Sequence, residues 1–139
     1  MATNRKYAET NTTTKLIKAI AQTASRTTNQ PIAGDPCVVG KLPGVALSGV
    51  NSSAQTVIQT DGVFELLVGG VDNSGSAGSD ANVTVLGGDK IYFDKGDGPP
   101  LSKRADGVPF GVAFGDDGAT LVASGVLTTK IQVKVGALP

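Results

Sequence analysis

Lys130-Ile131-Gln132-Val133-Lys134-Val135 alternates a polar residue with a branched apolar one at every step. Successive side chains of a strand point to opposite faces, so alternation with period two describes a strand that is buried on one side only. Ile131, Val133 and Val135 form the inward face, and Lys130, Gln132 and Lys134 leave the outward face cationic and wet.

Upstream, Val57-Ile58-Gln59-Thr60 runs through Asp61-Gly62 into Val63-Phe64-Glu65-Leu66-Leu67, and an Asp-Gly join between two such runs predicts a hairpin. Short strands are also predicted at 37–39, 44–47, 83–86, 91–93 and 111–114, each set off by Gly, Pro or Asp turn residues. Residues 69–82, GGVDNSGSAGSDAN, are almost all small or polar, a composition that builds no core and predicts an exposed loop. KLIKAIAQTA, at 15–24, is ambiguous. Leu16, Ile17, Ile20 and Ala24 fit a helical face, but the threonines around them favour extended backbone, which is the reading adopted. Residues 1–14 have no hydrophobic period and read as an arm that orders on a partner. No solenoid-type repeat is present.

The composition agrees with an all-β chain. Its 139 residues hold 19 Gly and 7 Pro, which leave little unbroken length for helices. With two Tyr, four Phe and no Trp, the core must be built from Val, Ile, Leu and Ala. The expected fold is a small barrel-like or β-tulip domain of short strands over residues 31–139, preceded by an extended arm over 1–30.

Charge divides along the same boundary. Residues 1–30 carry five basic residues against Glu9 alone, a net +4, while the remainder carries seven basic against eleven acidic, a net −4. A basic leading segment before an acidic body suits an arm that meets an acidic surface, or a solvated tail. Tyr7 is the only aromatic in that segment, so the stacking signature of nucleic-acid binding is missing and no direct nucleic-acid partner is expected. No apolar run has the length of a signal sequence or a membrane span, so a protein made in the cytoplasm, with no membrane partner, is expected.

Catalytic chemistry is poorly represented. Without a histidine the chain lacks the commonest general base and the usual triads. The carboxylate pairs Asp94 with Asp97 and Asp116 with Asp117 sit beside glycines, where turn formation explains them better than acid–base work. Between Gly34 and Gly40 there are five residues where a phosphate-binding loop has four, and Leu42 stands where that loop needs Ser or Thr. Pro36 also removes one backbone N–H from any such cradle. The DKGDG stretch at 94–98 lacks the alternating ligands and distant Glu of an EF-hand loop. Cys37, the single cysteine, has no His to activate it and reads as a packed thiol. No enzyme activity, small-molecule substrate, cofactor or metal is expected.

Five segments, in order, carry a family resemblance: Gly34-Asp35-Pro36-Cys37-Val38-Val39-Gly40, Leu42-Pro43-Gly44-Val45-Ala46-Leu47, Thr60-Asp61-Gly62-Val63-Phe64-Glu65-Leu66, Gly88-Asp89-Lys90-Ile91-Tyr92-Phe93-Asp94 and Gly111-Val112-Ala113. No single segment is specific, but the ordered set, spanning about residues 31 to 135, resembles the small bacteriophage head proteins known as capsid cement or decoration proteins, related in architecture to the lambda head decoration protein. The resemblance implies a β domain that trimerises on threefold and quasi-threefold positions of the expanded head. It further implies an arm that adds a strand to the major capsid protein, here Thr12, Thr13, Thr14, Lys15, Leu16, Ile17, Lys18, Ala19 and Ile20. The implied location is the outer surface of the virion. The alternative expectation is another virion structural subunit, of the tail or of head completion. In two respects the chain departs from the family pattern: the 69–82 stretch and the Thr-rich arm are both longer than usual.

Overall fold

The computed structural model describes residues 14–18, 32–49, 55–94 and 98–136, with backbone alone for 14–18, 55 and 56. The described residues form an all-β structure whose only helical element is a short 3₁₀ turn, Ser76–Gly78.

The frame is a closed five-stranded barrel. Strand β5 (Gly62–Val68) pairs antiparallel with β13 (Thr129–Val135) over seven residues, from Thr129 opposite Val68 to Val135 opposite Gly62. Antiparallel pairing then joins β13 to β11 (Val108–Ala113) and β11 to β9 (Lys90–Phe93), with a register shift between Pro109 and Gly111. The short β10 (Leu101–Ser102) closes the ring between β9 and β5. Ile131, Val133 and Val135 point inward as the alternation predicts. They meet Leu66, Val68, Ile91, Leu101 and Ala113, with Phe93 and Phe110 stacked at a ring-centroid distance of 6.3 Å. Closing the sheet satisfies both edges of each strand, which suits a core of β-branched residues with few aromatics.

The second layer is a four-stranded antiparallel sheet. Its order is β1 (Thr14–Lys18), β4 (Gln55–Gln59), β3 (Leu42–Ala46), β2 (Pro36–Val39). Strands β2 and β3 form a tight hairpin through Gly40 and Lys41, with Val39 opposite Leu42. Val38 and Val45 join the barrel core, while Cys37, Ala46 and Ile58 make a separate small cluster. The stretch that imitated a phosphate-binding loop is this hairpin, with no helix after its glycine.

The hairpin expected across 57–67 is not present. Strand β4 has β1 on one edge and β3 on the other, and β5 has β13 and β10, so neither has an edge left for its sequence neighbour. Residues 60–62 turn the chain from one sheet to the other. Gly62 adopts φ +121°, its N–H donates to the Asp61 carboxylate at 2.9 Å, and the Gln59 amide donates to the Asp61 carbonyl at 2.9 Å.

The 69–82 stretch is also more ordered than expected. Strands β6 (Val71–Asp72) and β7 (Ala81–Asn82) make a two-stranded ribbon around the exposed 3₁₀ turn, and Gly69, Gly70 and Val71 at its base are buried. Of the strand expected at 83–86, only β8 (Val85–Leu86) forms, paired with β12 (Thr120–Val122). Among the described residues, no helix is long and apolar enough to cross a membrane.

Candidate interaction surface

The outward side chains of the barrel form cross-strand rows. Lys134 lies opposite Val63 of β5 and Val112 of β11, and Val112 lies opposite Lys90 of β9. In the next row Gln132 lies opposite Glu65, and its carbonyl accepts the N–H of Phe114 at 2.8 Å. In the third row Lys130 lies opposite Leu67. Burial alternates accordingly along β5 and β13. Val63, Leu67 and Phe114 keep 42 %, 36 % and 52 % of their surface exposed, so one wall presents three large apolar side chains among lysines. Glu65 lies between Val63 and Leu67 along β5, and Gln132 lies between Glu65 and Phe114 across the strands, so the exposed apolar side chains are interspersed with polar ones.

The ammonium of Lys134 bridges to the Asp61 carboxylate. That hydrogen bond, followed by the one from the Gly62 N–H, holds the Asp61 carboxyl below its ordinary range. The pair fixes the sheet-to-sheet corner against the end of β13, although exposed ion pairs of this sort add little stability.

Two grooves separate the β2–β3 hairpin from the barrel. One, of about 340 Å³, lies between 33–36 and the Glu65, Leu67, Pro100 and Lys130 side, so that Asp35, Glu65 and Lys130 all line it. The other, of about 260 Å³, is lined by Lys41, Leu42, Pro43, Pro109 and Phe110.

The five resembling segments meet in the fold as framework. Gly34, Asp35 and Pro36 lead into β2 and bond to Ala46: the Gly34 N–H donates to the Ala46 carbonyl at 2.8 Å, and the Ala46 N–H to the Asp35 carbonyl at 2.9 Å. Gly44, Val45 and Ala46 are buried in β3, and Gly44 accepts a 3.7 Å contact from the Cys37 thiol. Gly62, Val63 and Phe64 open β5, with Phe64 packed against the core. Gly88 and Asp89 are bonded to Ala113 through the Gly88 N–H and the Asp89 carbonyl, both at 2.8 Å, which joins them to Gly111, Val112 and Ala113 of β11. Of the predicted arm residues, Thr14, Lys15, Leu16, Ile17 and Lys18 have their backbone in β1, paired to β4 from Thr14 opposite Gln59 to Lys18 opposite Gln55. Thr12, Thr13, Ala19 and Ile20 lie outside the described residues, as does Asp97.

Burial, followed by the nearby charge of Asp35, pushes the Cys37 thiol up to about 12, so it stays protonated at neutral pH and is a poor nucleophile. Asp116 and Asp117 occupy an exposed turn between β11 and β12. Among the described residues no cluster of three or more His, Cys, Asp or Glu is placed to hold a metal ion.

The sequence did not single out Arg104. It is 7 % exposed, and its Nε and Nη2 donate to the two carboxylate oxygens of Asp80 at 2.8 and 2.9 Å, while Nη1 donates to Ser102 Oγ at 3.2 Å. This fork ties the ribbon to β10. Such pairing across 24 residues leaves no periodic signal in the sequence.

No family model matches this chain, and neither the curated proteins nor the solved structures contain a match to it.

Proposed function

We propose that the chain is a decoration protein of a bacteriophage head, binding the major capsid protein as a homotrimer and reinforcing the expanded shell from its outer surface. The observation that carries this reading is the ordered set of five resembling segments. Those segments supply the β2–β3 hairpin, the opening of β5 and the β9–β11 pair, which are contiguous parts of one framework. A closed barrel with few open edges is a suitable module for display in many copies, since it does not polymerise through its own strands. Modest contacts repeated over a particle add up to substantial reinforcement. The basic leading segment supplies the attachment, drawn to an acidic shell surface and extended where it meets the partner.

Cryo-electron microscopy of the head from which this gene comes tests the reading directly. Trimeric density of about 14 kDa subunits at the threefold positions is the expected result. Bare threefold positions, with the protein found at the neck or tail, would move it to another structural role in the virion.

A further inference from the structure

Strand β4 takes most of its pairing from β1. Five residue pairs join the two, from Thr14 opposite Gln59 to Lys18 opposite Gln55. On the other edge β3 meets β4 at Val45 opposite Gln59 and Ala46 opposite Ile58, and the Leu47 N–H donates to the Val57 carbonyl at 2.8 Å. Successive residues of a strand turn their N–H and C=O groups to opposite edges, so the Val57 backbone faces β3 while those of Thr56 and Ile58 face β1. Yet β1 is an outer strand, and among the described side chains the cluster of this sheet, Cys37, Ala46 and Ile58 with Val39 against it, is built from β2, β3 and β4. Residues 19–31 join β1 to Ile32. A chain of that length reaches up to about 40 Å, against roughly 15 Å for three strand spacings, so the connection neither forces β1 onto β4 nor ties it there.

We infer that β1 is a detachable strand: it covers the β4 edge in the free protein, opens from that edge without the barrel, and pairs with a sheet of another protein only when open. The inference rests on the proposed function for the identity of that other sheet, and adds that the chain restrains its own attachment. Tethering holds β1 beside β4 at an effective concentration of millimolar order, so the in-chain pairing competes with any partner. The apparent affinity for the partner is then the intrinsic affinity multiplied by the fraction of molecules with β1 open.

Two variants of the full chain provide the test. Lys18 and Gln55 are paired residues whose backbone groups do not bond to each other, the closer kind of antiparallel pair, so a Lys18→Cys/Gln55→Cys cystine locks β1 down when oxidised and frees it when reduced, with the buried Cys37 out of reach. Thr56→Pro removes an N–H that faces β1 and leaves the β3 side of β4 intact, so it loosens β1. Thermal unfolding checks that both variants fold, and the cystine variant carries the test where Thr56→Pro does not. Hydrogen exchange of the wild type at the Ile17, Thr56 and Ile58 amides should run at least roughly tenfold faster than at the β5–β13 amides, and should slow in the oxidised variant. Exchange no faster than that of the barrel overturns the inference. On undecorated heads the oxidised variant should bind at least about tenfold more weakly than its reduced form, and Thr56→Pro should bind severalfold more tightly than the wild type. An oxidised variant that binds like the reduced one, or a folded Thr56→Pro that binds no more tightly, also overturns it. Heads that take up none of these proteins, wild type included, remove the decoration reading, and exchange at β4 then decides detachment by itself.

Discussion

A methyl group added to Gly111 would stand 2.1 Å from the carbonyl oxygen of Lys134 and 3.2 Å from the Cα of Val135, both backbone atoms of the paired strand β13. Nothing flexible can move aside, so Gly111→Ala should force β11 from β13 and cost about 3 kcal/mol, the upper range for overpacking. Gly40, in the open β2–β3 turn at φ +65°, has no neighbour near its missing Cβ. There, Gly40→Ala should cost only about 1 kcal/mol, from the left-handed backbone alone. Urea denaturation of the two variants checks the difference; equal losses would mean the close approach is relieved by strand movement. Titration is also decided residue by residue. Asp80 is held below the ordinary carboxylate value of 3.8, chiefly by its hydrogen bonds from Arg104, and Asp61 and Asp72 are lowered by Lys134 and Ser74. A carboxylate lowered in the folded state contributes stability that is complete above 3.8 and is lost as pH falls through the folded value. Stability should therefore hold level from neutral pH to about 5 and decline below 4, with a shallower acid decline for Asp80→Asn, measured as urea midpoints at pH 6 and pH 3. An unchanged acid slope in that variant would remove Asp80 from the account.

At the scale of elements, the sequence was legible where one strand's own pattern decides its fate. Lys130 to Val135 needs only period two, and β13 forms with the predicted face inward. It was less legible where the outcome depends on competition for partners. The Asp61-Gly62 join has hairpin chemistry, but β4 and β5 each find both edges taken by strands remote in sequence, and the same residues become a corner. The 69–82 ribbon was hidden for a related reason: its small residues cannot form a core, yet Gly70 fits where a side chain would not. A Cβ on Gly70 would lie 2.4 Å from the Ala123 carbonyl oxygen. The Arg104 fork completes the ribbon's attachment from outside its own sequence. Arg104→Ala should therefore raise hydrogen exchange in the ribbon, notably at the Val83 N–H bonded to Gly70, by roughly an order of magnitude while leaving the β5–β13 amides near wild-type protection. Equal acceleration in both places would show that the ribbon and barrel open as one unit.

At the scale of the whole molecule, charge and core are drawn from different parts of the chain. The buried apolar residues among those described run from Cys37 to Val135, so the barrel and its capping hairpin contain their own core. The basic segment lies ahead of them, and the backbone of its residues 14–18 continues the smaller sheet as the strand next to β4. That division was readable from composition alone, because clustering of cations before residue 30 and of apolar strands after it needs no knowledge of pairing. What composition could not show is that the leading segment supplies a strand to an edge of its own chain, since pairing partners leave no mark in either segment taken separately. The same edge chemistry lets such a strand serve a sheet of another protein. Deleting residues 1–24 removes four cations and one anion and takes away none of the buried core residues among those described. The truncated chain should keep a cooperative unfolding transition, with the open β4 edge as its main change, while losing attachment to heads. On the proposed function, attachment of the full chain should in turn weaken as ionic strength rises, because a contact between exposed charges is screened by salt. A truncated chain that still decorates heads would assign attachment to the barrel or hairpin. One that no longer folds would make β1 a structural strand of this domain, with no freedom to serve a capsid sheet.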